Sequence, residues 1–362
     1  MISLNKPLKP NLELLTNYLN DVNESGWYTN FGPLHQKLTK RLEQYLGVDN
    51  LLLVSNGTLA LQVAYKTLNV QHALTTPFSF VATTSSLLWQ NTPISFSDID
   101  RKSFNLCAKK AADYINQHPS VDTIVATHVY GNPCDVIAFE KLEKNKKINI
   151  IYDAAHAFGV KFKGRSILEY GRASTLSFHA TKVFHTVEGG AIVFRDKDDY
   201  EQAKKLINFG QDIDGKIKDI GINAKLNEYQ CAVGLTLLDQ IDDALKHRVN
   251  LYNAYLKGLT SLVKVPDWLQ DSSFNGSYMP IFLKNMVERD DVFKFLKDNG
   301  VECRAYFSPS LSQVFKLDSD YDVKNSVDAT GRVLCLPLHS YLTLEQVSTI
   351  VGLINKKLTI GD

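Results

Sequence analysis

The sequence predicts an α/β fold, in which a largely parallel β-sheet is covered by helices on both faces. Short runs are apolar at successive positions rather than at alternate ones, as in strands that are buried on both faces. Helical patterns separate these runs, which favours crossover connections between parallel strands. The strand-like runs are residues 51–55, 94–100, 123–131, 148–153, 175–179 and 190–194.

The first helices are marked by their periodicity. Leu34, Leu38, Leu42 and Leu46 recur every four residues and stop at Gly47, which predicts a helix with a glycine terminator. Residues 59–68 carry a second helical pattern, separated from the first strand-like run by a short turn.

A change of pattern near Asn227 predicts a second domain. Asn227 has a glutamine three residues later, which is the spacing of a helix-capping pair. Apolar residues then recur every three or four positions over 238–259, which predicts one long amphipathic helix. We expect this helix to lead from a large domain, residues 1–245, to a small α+β domain, residues 246–362.

The composition is that of an ordinary globular protein. Of 362 residues, 44% are hydrophobic and 22% are charged, and the formal net charge is only +1. This balance gives no basic footprint for nucleic acid or for an anionic membrane. The five cysteines are scattered and form no CxxC pair, which indicates a reducing compartment. The sequence has no signal-peptide core and no apolar run of membrane-spanning length, so we expect a soluble cytoplasmic protein.

A first candidate site is the turn SNGTLAL, residues 55–61. Gly57 allows a tight turn after a strand, and a helix is predicted to begin near Thr58. The free N–H groups at a helix N-terminus bind phosphate well. Most turns of this kind nevertheless bind nothing, and this one lacks the GK[ST] of a Walker loop.

A second candidate site is the segment IIYDAAHAFG, which places Asp153 at the end of a buried strand. Ligands of open α/β sheets lie beyond the carboxyl ends of the strands. A carboxylate there can keep a pyridinium nitrogen protonated, so that the ring accepts electrons. Capping of a following helix is an equally ordinary use of an aspartate at this position.

The third candidate site is Lys182 in SFHATKVFHTVEGGA, between a strand-like run and two glycines. Most lysines are solvated surface residues. Here we expect the amine to lie over the same sheet edge as Asp153. Desolvation lowers a lysine pKa from about 10.4 to about 7–8, which makes the amine nucleophilic enough for a Schiff base. A phosphate cradle, a pyridinium carboxylate and a Schiff-base lysine are together the three anchors of pyridoxal 5'-phosphate (PLP).

Nearly the whole chain resembles the DegT/DnrJ/EryC1/StrS family of PLP-dependent nucleotide-sugar aminotransferases. The matching segments include SNGTLAL, PFSFVATTSSLLWQNTPISFSDID, DAAHAFG, SFHATKVFHTVEGGA and LPLHSYLTLEQ. The resemblance implies a PLP-dependent transferase of fold type I, similar to aspartate aminotransferase. Such a fold has a large α/β/α domain with a mostly parallel sheet and a smaller C-terminal α+β domain.

The resemblance also implies the contacts of the cofactor. Lys182 is expected to bind the cofactor aldehyde and to move the proton between cofactor and substrate carbons, and Asp153 to pair with the pyridine nitrogen. The other expected contacts are Gly57, Thr58 and Ser177 at the phosphate, His156 beside the phenolic oxygen, and Phe80 on the ring face. On its own sequence pattern, Phe80 is also compatible with a core position.

Members of the family form homodimers, and the resemblance implies that the two subunits share their active sites. Asn223, in the segment GINAKLNEYQ, is expected to reach the cofactor phosphate of the other subunit. Ala224-Lys225 stands where the commonest family sequence has Tyr-Arg. The residues expected near the nucleotide sugar are Trp27, Tyr28, Asn30, His185 and Tyr306. No metal is expected.

The segments SFHATKVFHTVEGG and GINAKLNE look most like the branch that aminates C4 of a dTDP-4-keto-6-deoxyhexose. The resemblance implies that L-glutamate donates its amino group to dTDP-4-dehydro-6-deoxy-D-glucose. The product, dTDP-4-amino-4,6-dideoxy-D-glucose, is expected to serve O-antigen or a similar surface polysaccharide. Amination at C3 is the alternative, although the C3 aminases more often have PGKN at the lysine.

Three other function classes are weaker alternatives. A cysteine desulfurase needs a reactive thiol on a mobile loop, whereas Cys134 and Cys303 are expected at buried turn and strand positions. A regulatory member of the family that binds DNA is disfavoured because there is no basic recognition helix. A zinc enzyme is disfavoured because His179 and His185 are six residues apart and no Cys/His pair has ligand spacing.

Overall fold

A computed structural model describes residues 1–317 and 322–359 of the chain. The described helices are α1 (Leu12–Ser25), α2 (Pro33–Leu46), α3 (Gly57–Thr67), α4 (Val81–Trp89), α5 (Ala108–Gln117), α6 (Val136–Lys146), α7 (Lys197–Leu206), α8 (Glu228–Leu238), α9 (Ile241–Gly258), α10 (Met286–Asp298), α11 (Leu311–Val314), α12 (Lys324–Arg332) and α13 (Leu344–Thr359). The described strands are β1 (Leu51–Val54), β2 (Ala73–Thr75), β3 (Ile94–Phe96), β4 (Thr123–Thr127), β5 (Asn149–Asp153), β6 (Lys161–Phe162), β7 (Arg165–Ser166), β8 (Ala173–Ser177), β9 (Gly190–Phe194), β10 (Met279–Phe282) and β11 (Val333–Leu336).

Seven strands form one mixed sheet in the order β1-β9-β8-β5-β4-β2-β3. The pairs from β8 to β3 are parallel, whereas β9 is antiparallel to both of its neighbours, β1 and β8. Every residue of β1, β4 and β9 is buried. The prediction of a largely parallel sheet made of apolar strands is therefore confirmed.

Alternate residues of the strands enter two different hydrophobic cores. Ile150 packs with α2 and α8 residues such as Leu38 and Leu235, whereas the next residue, Ile151, packs with α3 and α7 residues such as Ala60 and Ala203. Successive side chains of a strand point to opposite faces of the sheet, so each face is covered by its own helices. This is the α/β/α arrangement that was predicted.

The C-terminal part of the chain has a core of its own. The two-stranded antiparallel sheet of β10 and β11 packs with α9, α10 and α13. Helix α9 joins this core to the larger one, because Ile241 lies in the core of the seven-stranded sheet and Leu251 in the C-terminal core. The division at residues 245 and 246 thus falls within one helix and stays a prediction. Residues 318–321 and 360–362 of the predicted small domain lie outside the described residues.

The long amphipathic helix predicted over 238–259 is confirmed as α9, although it is separate from the helix α8 that Asn227 caps. Helix α8 ends at Leu238 and α9 begins at Ile241, with a turn in which the Gln240 N–H donates to the Leu237 carbonyl over 3.0 Å. Apolar periodicity continues across this break because Leu238 and Ile241 are both buried at the junction. The predicted cap at Asn227 is confirmed, since its side-chain oxygen accepts from the Gln230 N–H at 3.0 Å.

Candidate active site

The carboxyl ends of the parallel strands border a cavity of about 770 Å³. Strands β4, β5 and β8 end side by side, because Thr127 is in register with Asp153 and Asp153 with Thr175. Strand β9 begins at this edge, where Gly190 pairs with Ser177 and with Val54 at the end of β1. The sheet therefore brings segments from distant parts of the sequence to one place.

One end of the cavity is formed by the N-terminus of α3. The Asn56 side chain caps this helix by accepting from the Leu59 N–H at 2.8 Å, and among the described residues the Gly57 and Thr58 N–H groups have no acceptor. A Cβ on Gly57 would lie 2.7 Å from the Ser177 Cβ, so only glycine allows the helix to approach β8 this closely. This cradle of free N–H groups and hydroxyls suits a phosphate group.

The Asp153 carboxylate lies buried in the cavity wall and is held by two donors. Its Oδ2 accepts from the Thr83 hydroxyl at 2.6 Å, and its Oδ1 accepts from the Ala155 N–H at 3.2 Å. The alternative that Asp153 caps a helix is not realised, because no helix follows β5 directly. Burial raises the pKa of Asp153, against the opposing effects of Thr83, Ala155 and the charge on Lys182. Each oxygen keeps a lone pair for a further donor.

Lys182 lies in the connection between β8 and β9. Its N–H donates to the His179 carbonyl at 2.9 Å, and the flanking Phe178 and Phe184 are fully buried with ring centroids 5.0 Å apart. Burial lowers the Lys182 pKa to about 8, although the charge of Asp153 acts to raise it. Among the described residues its amine has no hydrogen bond or ion pair. A free, partly desolvated amine opposite a carboxylate is suited to attack on an aldehyde.

His156 contributes a further unpaired polar atom to the cavity wall. Its Nδ1 is buried without a hydrogen-bond partner in the described residues. The ring stacks on Phe307 with centroids 5.8 Å apart and meets Tyr278 edge-on at 4.8 Å. Burial, reinforced by the Lys182 charge, keeps the His156 pKa well below its usual value, so the imidazole is neutral.

These residues fit PLP. The unpaired groups around the cavity are an amine, a neutral imidazole nitrogen, a carboxylate with free lone pairs and a helix N-terminus. They correspond to the aldehyde, the phenolic oxygen, the ring nitrogen and the phosphate of PLP, in that order. Phe80 exposes 50% of its surface and lines the cavity, so it is not a core residue, and Tyr306 also lines it.

Five residues with predicted roles do not line this cavity within one chain: Asn223, Trp27, Tyr28, Asn30 and His185. Asn223 is exposed and bridges to Asn208 next to a loop that carries exposed isoleucines. The turn between α1 and α2 carries Trp27, Tyr28 and Asn30, which are all exposed. A 3.0 Å hydrogen bond from the Glu228 N–H to the Tyr28 carbonyl holds this turn against α8.

His185 is engaged in the protein interior. It is buried, its Nε2 lies 2.8 Å from the Leu8 carbonyl and its Nδ1 accepts from the Val187 N–H at 3.2 Å. Both ring nitrogens are therefore used within the chain, which argues against the expected contact between His185 and the sugar.

The sequence analysis missed several residues in the cavity wall or directly behind it. Thr83 and its partner Ser79, 2.7 Å apart, form a hydroxyl network that continues to Thr127 at 3.0 Å. Thr127 had a partial signal, because it lies in the strand-like run 123–131, although the observed strand β4 ends at Thr127 rather than at residue 131. Tyr278 and Arg304 come from the C-terminal part of the chain and had no periodic or positional signal.

The alternative chemistries find little support in the described residues. Burial raises the pKa of the Cys134 thiol strongly and that of Cys303 to about 12, and neither residue lines the cavity. In the part of the chain that the structure describes, no group of three or more His, Cys, Asp or Glu side chains is arranged to hold a metal ion. None of the described helices combines the length and the apolar character that crossing a bilayer requires.

The known proteins that this chain resembles are aminotransferases, which agrees with the PLP site inferred from the cavity. The profile of the DegT/DnrJ/EryC1/StrS aminotransferase family matches residues 12–355. The chain is 38% identical to a dTDP-4-amino-4,6-dideoxy-D-glucose transaminase of Shigella dysenteriae over 98% of both chains. It is 32% identical to an Escherichia coli protein of the same name over 99% of both.

Among solved structures, that of DesI in the presence of its TDP-sugar product superposes with a TM-score of 0.94 at 28% identity, covering 99% of this chain and 93% of DesI. Aminotransferases of this family depend on PLP. The chain belongs to the DegT/DnrJ/EryC1/StrS aminotransferase family.

Proposed function

We propose that this aminotransferase moves the amino group of L-glutamate to C4 of dTDP-4-dehydro-6-deoxy-D-glucose. The product is dTDP-4-amino-4,6-dideoxy-D-glucose, a precursor for O-antigen or a similar surface polysaccharide. The observation that carries the choice of sugar is the 38% identity, over 98% of both chains, to a transaminase named for this product. The chemistry rests on the arrangement of Lys182 and Asp153 at one sheet edge.

The chain's own residues have distinct tasks in this reaction. When bound, PLP supplies an aldehyde that condenses with amines and a ring that accepts the electron pair left by a departing proton. We assign the phosphate to Gly57, Thr58 and Ser177. Asp153 would hold the proton at the ring nitrogen, and Nδ1 of the neutral His156 ring would bind the phenolic oxygen.

Lys182 moves the proton between carbon atoms. In the first half of the reaction its amine removes the proton from the α-carbon of L-glutamate, and in the second half it delivers a proton to C4 of the sugar. A pKa of about 8 suits both steps, because the amine then gains and loses a proton readily near neutral pH. Phe80, which lines the cavity, would stack on one face of the cofactor ring.

We also propose that the enzyme is a cytoplasmic homodimer with active sites shared between subunits. Asn223 is exposed in one chain and adjoins a loop with the largely exposed Ile213, Ile217 and Ile220. Apolar surface of this kind is typical of an interface between subunits. Sedimentation equilibrium tests this state, and a monomeric enzyme with full activity would overturn it.

The direct test is product analysis. The purified protein, loaded with PLP, is incubated with L-glutamate and dTDP-4-dehydro-6-deoxy-D-glucose, and the nucleotide sugar is examined by NMR. We expect an amino group at C4 together with 2-oxoglutarate. An amino group at C3, or no conversion of this sugar, would overturn the assignment of the substrate.

A further inference from the structure

We propose that Arg304 binds the carboxylate of the amino donor. This inference rests on the proposed function, and it concerns a residue that the sequence analysis did not single out. Arg304 and Lys182 are the only arginine and lysine among the described residues that line the cavity. Because Lys182 is committed to the reaction itself, Arg304 is the cation left for the charge of a substrate.

The guanidinium of Arg304 is not neutralised within the chain. Across residues 1–317 and 322–359, no carboxylate lies within 4.0 Å of it, and no side-chain hydrogen bond from it is formed. The guanidinium lies over the face of the Tyr306 ring, 4.8 Å from the centroid. Stacking on a ring leaves the edge of a guanidinium, with its N–H groups, free for a planar anion.

The backbone holds Arg304 firmly although its side chain is exposed. Its N–H donates to the Cys335 carbonyl at 3.2 Å, and the Cys335 N–H donates back to the Arg304 carbonyl at 2.8 Å. These two bonds add the residue to the edge of β11. The Tyr130 hydroxyl donates to the Tyr306 carbonyl, which fixes the next turn of the chain. A pre-positioned arginine loses less side-chain entropy when it binds a ligand.

The chemistry of the donor matches this position. The α-carboxylate of L-glutamate is bonded to the carbon whose proton Lys182 removes, so it must lie in the same cavity as Lys182. The two carboxylates that line the cavity do not compensate the charge of Arg304, because each has other partners. Asp153 is bonded to Thr83 and Ala155, and Glu188 lies 3.6 Å from His179. An arginine pairs with a carboxylate through two parallel hydrogen bonds. The diphosphate of the nucleotide sugar is the rival ligand for this cation.

The test separates these two ligands with Arg304→Gln in the PLP-loaded enzyme. Binding of glutarate, a dicarboxylate that has no amine and does not react, is measured by calorimetry. The half-reaction with L-glutamate and the half-reaction with the keto sugar are each followed by the cofactor absorbance. We expect glutarate affinity and glutamate efficiency to fall by about tenfold or more, because a hydrogen-bonded charge pair is lost. Arg304→Lys should recover only part of the lost glutarate affinity and glutamate efficiency.

Arg165→Gln is the matched control. Arg165 also stacks at 4.8 Å on a tyrosine ring, that of Tyr170, but it lies outside the cavity. The variant Arg165→Gln should therefore leave the rates of both half-reactions unchanged. Unchanged glutarate binding in Arg304→Gln would overturn the proposal, and a loss confined to the keto-sugar half-reaction would assign the residue to the diphosphate. If the wild-type enzyme binds PLP but does not react with glutamate, the proposed function itself fails.

Discussion

At the scale of single residues, the hydroxyl of Thr83 is what orients the Asp153 carboxylate. The bond is 2.6 Å long and buried, and it leaves the carboxylate pointing into the cavity. Thr83→Val keeps the shape of the side chain and removes the bond. We expect kcat to fall about tenfold or more, since a hydrogen bond to a charged group contributes about 1.5–3 kcal/mol.

The adjacent threonine provides the control for this prediction. The Thr84 hydroxyl is equally buried but has no hydrogen-bond partner in the described residues. Thr84→Val should therefore leave kcat unchanged and leave stability unchanged or higher. Equal kcat values for the two valine variants would show that the Thr83 hydroxyl does not position Asp153.

The lowered pKa of Lys182 predicts how cofactor attachment depends on pH. The amine reacts only when it is neutral, so the rate at which cofactor-free protein combines with PLP should rise with pH and level off above about 8. An ordinary lysine would level off only near about 10.4. Asp153→Asn should move the plateau to lower pH, because the Asp153 charge raises the Lys182 pKa. Stopped-flow absorbance measures both rates, and a plateau near 10 in the wild type would contradict the prediction.

At the scale of elements, the start of α3 is the proposed binding site of the cofactor phosphate. Gly57→Ala would place a Cβ 2.7 Å from the Ser177 Cβ, which forces α3 away from β8. We expect the affinity for PLP to fall by at least about tenfold, because the loss of one hydrogen bond to the phosphate is sufficient for such a decrease. Titration of the cofactor-free protein with PLP measures this affinity.

Gly352→Ala is the control for the substitution in α3. Gly352 lies on the exposed face of α13, and a Cβ there meets no atom within 4 Å. This variant should stabilise the protein by up to about 1 kcal/mol without changing PLP affinity. If Gly57→Ala bound PLP as tightly as Gly352→Ala, the phosphate would have to bind elsewhere.

Elements differ in how far the sequence predicts them. Strands β1, β4 and β5 were recognisable because burial on both faces requires uninterrupted apolar residues. The break between α8 and α9 was not, because Leu238 and Ile241 are both buried and continue the helical spacing across it. Hydrophobic periodicity reports burial, and it carries no information on a change in helix direction.

At the scale of the whole molecule, a buried carboxylate joins the seven-stranded sheet to the C-terminal part. Asp98, just after β3, accepts from the Asn325 and Ser326 N–H groups at 3.0 and 2.8 Å and from Lys110 at 2.8 Å. It thereby caps α12, which has no side-chain cap of its own. Because α12 leads into β11, this contact also supports the position of Arg304.

We expect Asp98→Asn to lower the free energy of unfolding by about 1–3 kcal/mol, since buried donors lose their partner. Asp328→Asn, which removes an exposed ion pair with Arg332 on the same helix, should change it by less than about 0.5 kcal/mol. Urea denaturation compares the two variants. Equal effects would show that the Asp98 contact does not hold the two parts together.

The pH dependence of this contact has a definite sign. Burial acts to raise the Asp98 pKa, but the hydrogen bonds from Lys110, Ser326 and Asn325 outweigh it and hold the pKa below its usual value. Asp98 therefore contributes stability above the pKa of the unfolded chain, about 3.9, and loses it as the pH falls through the folded value. The stability difference between wild type and Asp98→Asn should shrink only below about pH 4.

The origin of the site residues explains which of them the sequence predicts. Asp153 ends β5 and Lys182 follows β8, two parallel neighbours in the same sheet, and the carboxyl ends of such strands meet by topology alone. Thr83 reaches Asp153 from a helix, and Arg304 arrives from the C-terminal part, so their places depend on packing that no local pattern encodes. Asn223 does not line the cavity of its own chain, so its predicted contact with the cofactor phosphate depends on the proposed homodimer.

The most direct test of the central claim is to reduce the PLP-loaded protein with borohydride and to locate the cofactor by mass spectrometry. We predict a visible absorbance band that disappears when L-glutamate is added, and a cofactor fixed covalently to the peptide that contains Lys182. Lys182→Ala should show neither the fixed cofactor nor turnover. Covalent attachment to another lysine, or normal turnover by Lys182→Ala, would contradict the account.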